Sequence, residues 1–499
     1  MFLALAVRVY MVLTAGVITP DGILYIKIAR FINDGNWRGV YEDGFYSTYP
    51  FVIVLFQKVF HDWETAGRMA SAAAGSVAVL PFFFLLRRMF DLRIAFVASI
   101  FFVIGPRLVQ YSSDVLREPL FWCFSITSLW AAWKGIEEKR WVFIAAASFF
   151  AGLSCFTRTE GVALLAIVIV WMGWVLFYRE RKARLFLAFL MVFLVAFPAM
   201  SITPLYLLKS KAGAWELGHL ATKIPELLQS RNKPLPVEID GSSLKSRQAG
   251  SVLTRVMSNR YVFSLWETSH KFFRSFHVVL IVLLLFGLFR RRIIPCSGKE
   301  IPVLIWCSAF FLISLVYAFK VSYVSTRHGL LVGIPSLLWV SIGFWELSSR
   351  MEGAVRKARW SPKLTRHVAV YLLILICLSV IPRTVAPYGD EKIEMKKAGI
   401  YLKRMGYSNE KFAVEPRINR LTFYKGGDFV NIPTNIDPVA LGRFLKSADV
   451  RFLVVDERTI ENAVKGFKGN TDAMNLEKVD LPGFNDYREY SFAVYRIGE

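Results

Sequence analysis

The chain has 499 residues, of which 55% are hydrophobic and 15% aromatic, and its mean hydropathy is +0.42. That is too apolar for an ordinary soluble protein of this size and makes the bilayer the main solvent. The formal net charge of +23 does not indicate a nucleic-acid partner, because much of the basic excess sits in short clusters beside apolar runs: Arg87-Arg88, Arg179 to Arg184, and Arg290 to Arg292. There it serves orientation and contact with anionic headgroups. The five cysteines, Cys123, Cys155, Cys296, Cys307 and Cys377, are scattered without CxxC or metal-ligand spacing and read as small buried hydrophobes.

From the N-terminus, the run Phe2 to Ile18 lacks a basic flank and a small-residue cleavage site, so it reads as a first span rather than a removed signal. Further runs long enough for a hydrocarbon layer of roughly 30 Å lie near 66–86, 94–111, 115–133, 141–156, 161–178 and 185–207. Four others lie near 276–289, 301–319, 329–348 and 367–382, which predicts about eleven transmembrane helices. Loops rich in Lys and Arg, around 87–93, 134–140, 179–184, 290–299 and 350–366, are assigned to the cytoplasm. The alternate loops, 20–63, 107–114, 157–160, 208–275 and 320–328, then face outside, with everything after residue 383. The cell membrane, plasma or inner, is the expected location.

After Pro382 the composition becomes that of a soluble domain. Helical spacing of Glu and Lys marks 390–405, strands are expected at Phe412 to Val414 and Arg451 to Val455, and a helix at 437–447. A terminal hairpin or edge strand is expected over Tyr487 to Ile497, giving a small α/β domain. The absence of a Gly-rich phosphate loop there argues against an ATPase module. The predicted organisation is a transmembrane domain over 1–383, with external loops 20–63 and 208–275, and a soluble extracytoplasmic α/β domain over 384–499.

Ionisable residues collect at the outward ends of the spans, where they are costly to desolvate and tend to line cavities. Asp21, in Thr19-Pro20-Asp21-Gly22-Ile-Leu-Tyr25, follows the first span and suits either a proton acceptor at a low-dielectric wall or a helix cap. In Ser112-Ser113-Asp114-Val-Leu-Arg117-Glu118-Pro119, helical spacing places Asp114, Arg117 and Glu118 on one face, suiting catalysis or an intrahelical ion pair at a capped helix start. Cys155-Phe-Thr157-Arg158-Thr159-Glu160-Gly161 forms a hinge between spans, and Tyr323-Val-Ser-Thr326-Arg327-His328-Gly329 opens a later one. Each presents an arginine whose planar fork suits phosphate, with snorkelling to the interface as the alternative. Arg107 stands on the same side. No His or Cys cluster accompanies His328, so no metal site is assigned; a divalent cation bridging carboxylate and phosphate is compatible with the sequence, since such ions need few protein ligands.

In order and spacing, the segments containing Arg8, Asp21 to Tyr25, Tyr49-Pro50, Gly67-Arg68, Pro106-Arg107, Asp114 to Pro119, Leu153 to Gly161 and Thr326 to His328 resemble the polyprenyl-phosphate-dependent glycosyltransferases of the GT-C fold. The likeness is to the protein mannosyltransferase group, family 39, with its bacterial and archaeal relatives, and extends to the C-terminal soluble domain. It implies transfer of a sugar from a polyprenyl-phosphate donor to an acceptor (protein, lipid or glycan) on the extracytoplasmic face, with inversion. It matches Asp21 to the acidic residue near the reaction centre, Asp114 and Glu118 to the acids of the next external loop, and Arg158 and Arg327 to arginines near the lipid phosphate. Arg107, Arg117, Glu160, His328 and Tyr25 complete the expected substrate-binding set. Many members carry two adjacent acids where this chain has Asp21 followed by Gly22. A multi-pass transporter or flippase for a lipid-linked or anionic substrate is the alternative, although no paired repeats or broken midplane helices are evident in the sequence.

Overall fold

The computed structural model describes residues 1–42, 47–196, 259–289, 298–358, 362–389, 392–433, 436–481 and 490–498. The expected external loop 208–275 therefore lies outside the described residues up to 258, as do most of the expected basic loop 290–299 and residues 487–489 of the expected terminal strand. The chain divides into two compact units: Met1–Val12 with Ile28–Ala386, and Leu13–Lys27 with Pro387–Glu499.

The first unit is helical, and among the described residues a helix lies at each of the expected spans; residues 197–207 of the expected span 185–207 lie outside them. Five helices among the described residues are long and apolar enough to cross a membrane: Trp63–Met89, Thr159–Arg179, Glu300–Val321, Thr326–Lys357 and Thr365–Thr384. Two bent pairs, Leu92–Ile104 with Pro106–Ser112 and Arg260–Arg274 with Val278–Leu288, would raise the number to seven only if each pair is counted as one span. Shorter apolar helices occupy Phe2–Thr14, Tyr49–Phe60, Trp141–Thr157 and Ala183–Ala196, and Glu118–Glu138 supplies the helix expected near 115–133.

Local chemistry sets several helix starts. Asp62 accepts from the Thr65 amide at 2.8 Å and Asp91 from the Ile94 amide at 2.8 Å, each satisfying a donor that a helix start leaves orphaned. Pro106, in the first turn of its helix, cannot continue the preceding one; Gly105 before it is extended and the two axes meet at 56°.

Packing within this unit centres on Thr326–Lys357, about 48 Å long at the usual helical rise. A Cβ at Gly343 would strike the Leu283 carbonyl, and one at Gly287 the Trp339 carbonyl, so this helix and Val278–Leu288 cross backbone on backbone. Polar side chains tie other elements together across the apolar interior. Ser341 donates to Ile94 O at 2.9 Å, Trp171 to Pro302 O at 2.9 Å, and Thr384 to Ile104 O at 2.6 Å.

In the second unit a five-stranded sheet is formed by β1 (Phe412–Val414), β2 (Phe429–Asn431), β3 (Phe452–Asp456), β4 (Leu476–Val479) and β5 (Phe492–Ile497). The order is β2-β1-β3-β5-β4. β1 pairs in parallel with β2 and β3, whereas β5 runs antiparallel to both β3 and β4. The expected segment Tyr487 to Ile497 contributes the single strand β5, which is not an edge: it is buried over Phe492–Tyr495 and flanked on both sides, leaving β4 at the margin. Alternating residues feed two cores. Leu453, Val455, Ala493 and Tyr495 join Leu441 and Leu445 on one side, while Phe452, Val454, Phe492 and Val494 join Met395, Ala398 and Leu402 on the other. Covering of both faces explains why β3 is buried at every position.

Candidate active site

The structure corrects the expected helix over 112–118. Helix Pro106–Ser112 ends there, residues 113–117 are non-helical, and a new helix begins at Glu118 with Pro119 in its first turn. Asp114 therefore does not share a helix face with Glu118. Its carboxylate accepts from the Val115 amide at 2.7 Å, a local bond that competes with helix formation. The segment is also tied sideways: the Ser71 hydroxyl donates to Leu116 O at 2.8 Å, and the Tyr49 hydroxyl donates to Gly67 O at 2.8 Å and lies 2.7 Å from Ser71 Oγ. Ser113 donates to the Arg8 carbonyl at 3.3 Å.

Glu118 sits at the centre of a charged cluster within the first unit and is 0% exposed. Its Oε1 accepts from Arg158 Nη1 in a very short ion pair and from Arg327 Nη1 at 3.3 Å. Arg158 in turn holds Glu160 with both prongs, Nη2 to Oε1 at 2.5 Å and Nε to Oε2 at 3.3 Å. His328 Nε2 lies 3.4 Å from both Glu160 Oε1 and Arg158 Nη2, and its ring stacks on Tyr317 at 5.2 Å. The placement follows from element ends. Glu118 opens one helix, Arg158 terminates Trp141–Thr157, Glu160 lies in the short 3₁₀ turn after it, and Ser325 caps the helix that brings in Arg327 and His328.

Two carboxylates and two guanidiniums in this cluster cancel in formal charge. Buried ions of this kind survive only when paired with good geometry, and Arg158, 6% exposed, is held from two sides. Arg327 differs, with a side chain 26% exposed. Of the two arginines it is the one with an accessible donor surface, and a planar fork of that type suits an incoming phosphate.

The structure thus brings together Glu118, Arg158, Glu160, Arg327 and His328. Asp114 is 4% exposed in the adjoining loop, and Arg107 bonds Gln110 Oε1 at 2.6 Å on its own helix. Arg117 is the residue immediately preceding the Glu118 helix. Asp21 and Tyr25 belong to the second unit. There the helix Pro20–Asn33 starts with the Thr19 hydroxyl accepting from the Gly22 amide at 3.3 Å, so Thr19, not Asp21, caps it and Asp21 falls in the first turn. Tyr25 is buried at 2% exposure. Sequence reasoning singled out neither Tyr317 nor Ser71 as functional; a stacking tyrosine inside an apolar span and a serine in an Ala-rich helix carry no local signal. Among the described residues no three carboxylate, imidazole or thiol groups converge as a metal cluster.

Residues 48–204 match the family model of dolichyl-phosphate-mannose-protein mannosyltransferase, a segment that includes Asp114, Glu118, Arg158 and Glu160. A comparison with curated proteins found no match. Among solved structures, apo ArnT from Cupriavidus metallidurans is 15% identical with a TM-score of 0.61, over 99% of this chain and 97% of that one. The same protein bound to undecaprenyl phosphate gives 15% and 0.59, over 99% and 96%. The Archaeoglobus fulgidus oligosaccharyltransferase with zinc and sulfate is 13% identical with a TM-score of 0.51, over 95% of this chain and 69% of that one. The chain is a multi-pass membrane protein of the GT-C glycosyltransferase fold, and its residues 48–204 carry the pattern of the dolichyl-phosphate-mannose-protein mannosyltransferase family.

Proposed function

We propose that the protein transfers a sugar from a polyprenyl-phosphate donor to an acceptor hydroxyl at the extracytoplasmic face of a cell membrane. The observation that carries this reading is the Glu118–Arg158–Glu160 scaffold with Arg327 on its accessible side. Support comes from the similar ArnT having been solved with undecaprenyl phosphate and the archaeal oligosaccharyltransferase with a dolichol-phosphate. In this reading the acceptor oxygen attacks the anomeric carbon and the bond from that carbon to the phosphate oxygen breaks. The acceptor proton passes to a base, for which the sequence resemblance nominates Asp21, and the configuration inverts. Arg327 neutralises the charge that develops on the departing phosphate, which is worth most in a water-poor pocket. Arg158 and Glu118 act as positioning residues that hold Arg327 in place; Asp114 and Arg107 flank the donor.

Release of free polyprenyl phosphate from a panel of polyprenyl-phosphate sugars, by purified protein in nanodiscs supplied with a crude acceptor extract, tests this. Wild type is expected to release it from one donor class. Asp21→Asn and Arg327→Ala are each expected to lower turnover by a factor on the order of 10² to 10³. Near wild-type turnover in both variants would sink the residue assignment, and silence across a panel that a known transferase consumes would sink the reaction class.

A further inference from the structure

The helix Arg260–Arg274 is built inside out for a protein in water. Its buried face is Ser264, 1% exposed, and Thr268, 2% exposed. The outward face carries Tyr261 at 75%, Leu265 at 53%, Trp266 at 56% and Phe273 at 42% exposure. A large apolar and aromatic surface turned away from a small polar seam fits a lipid surrounding. The helix meets the next apolar helix, Val278–Leu288, at 111°. With the latter along the bilayer normal, Arg260–Arg274 runs close to the membrane plane. Its charges lie at the ends of the apolar stripe: Arg260 in the first turn, Lys271 and Arg274 in the last, against the single acid Glu267, which pairs with Lys271 at 3.1 Å. Arg274 is exposed, and Arg260 is braced by a 3.1 Å bond to Ser322 and by the Phe319 ring 5.6 Å away. Trp and Tyr at the headgroup level with basic residues beside them is the composition that the interface of an anionic bilayer selects.

We propose that Arg260–Arg274 lies in the headgroup layer on the Arg327 side of the bundle and binds anionic phospholipid through Arg260 and Arg274, with Tyr261, Leu265, Trp266 and Phe273 among the upper acyl carbons. The ligand is the bulk phospholipid of that leaflet, recognised by its phosphate charge and its acyl boundary together. The helix also touches the candidate site's own support. A Cβ at Gly329 would meet the Lys271 carbonyl at 2.5 Å, so the amphipathic helix rests by its backbone on the first turn of the helix that carries Arg327 and His328. Lipid contact at this helix therefore bears on the orientation of that turn.

The test uses the full chain in nanodiscs of phosphatidylcholine with and without a minority of phosphatidylglycerol. Lipid retained after extraction is counted by native mass spectrometry. Wild type is expected to retain phosphatidylglycerol over phosphatidylcholine, and Arg260→Gln with Arg274→Gln to lower that retention by about fivefold per removed charge. High salt should have the same direction of effect. Equal retention of the two lipids by wild type, or unchanged retention by the double variant, overturns the proposal. A second measurement leaves both arginines intact: a nitroxide at Leu265→Cys, in a chain whose native cysteines are replaced, should report a depth at the first acyl carbons. A label as water-accessible as one at Lys357 overturns it.

Discussion

Neutralising Glu118 by Glu118→Gln removes one charge and almost no volume, so its consequences isolate the electrostatics of the buried cluster. Glu118 is 0% exposed, and its Oε1 is shared by Arg158 and by Arg327 at 3.3 Å. At that separation the attraction to Arg327 is about 5 kcal/mol for an effective dielectric of about 20. Desolvation offsets much of that while the pair is intact, but removing one partner leaves the other buried and uncompensated, at a cost of about 3–5 kcal/mol. Arg158 retains Glu160, and Arg327 retains solvent on its 26% exposed side, which places the expected loss at the lower end, about 3 kcal/mol. Denaturant unfolding in detergent followed by tryptophan emission reads it, with a double-mutant cycle against Arg158→Gln. The two changes should be less damaging together than their sum by about 1–3 kcal/mol. Freed of Glu118, Arg327 loses its registration, and donor turnover should fall about a hundredfold. A Glu118→Gln protein with unaltered stability, or a cycle additive within about 0.5 kcal/mol, would refute the view that Glu118 organises this cluster.

Two further predictions concern packing and pH. Gly343→Ala should cost about 1–3 kcal/mol, because the new Cβ meets the Leu283 carbonyl and the Gly287 amide of the facing helix, backbone that cannot swing aside; unfolding of the variant in detergent measures it, and an unchanged midpoint would contradict the close crossing. Lys425 is buried, donates to Tyr407 O at 3.0 Å and Glu410 O at 2.8 Å, and lies 4.3 Å from the Phe412 ring centre. Burial pushes its pKa down to about 8 from an ordinary 10.5. The unfolded chain therefore holds this proton more tightly, so the destabilisation is fully present below pH 8 and is relieved as pH rises through the window from 8 to 10.5. The gain across that window is up to about 3 kcal/mol. Hydrogen-exchange protection of β1 relative to its intrinsic rate should rise accordingly in wild type and stay flat in Lys425→Met; parallel profiles would remove Lys425 as the cause.

The spans, the composition change after Pro382 and the strand-helix pattern of the C-terminal domain were legible because each is a run of residues in one stretch of chain, where hydropathy and spacing report directly on solvent. Helices lie at the predicted runs, and Asp437 caps Pro438–Ser447 near the predicted position. The residues of the charged cluster were legible as ionisable types at span ends. Their partnerships were not. Local spacing sets Asp114 beside Arg117 and Glu118, three and four residues on, whereas the ion pairs of Glu118 reach Arg158 and Arg327, 40 and 209 residues along the chain. Local spacing assumed a continuous helix; the Asp114 bond to its neighbouring amide and the anchoring of Leu116 by Ser71 break it. The position of β5 inside the sheet is similarly a matter of pairing, since a strand pattern reveals a buried face but not which neighbour supplies its hydrogen bonds.

By itself the sequence determined that this chain is built for a bilayer, where its apolar runs lie, which ionisable residue types gather at span ends, and that an α/β segment follows the last predicted span. Only the tertiary structure decided which charges neutralise one another, that Arg327 keeps an accessible side while Arg158 does not, and which face of Arg260–Arg274 looks outward. The physical reason is range. Transfer free energy adds residue by residue and can be read along the chain, whereas an ion pair or a helix face depends on what stands opposite, and that is set by packing between distant segments.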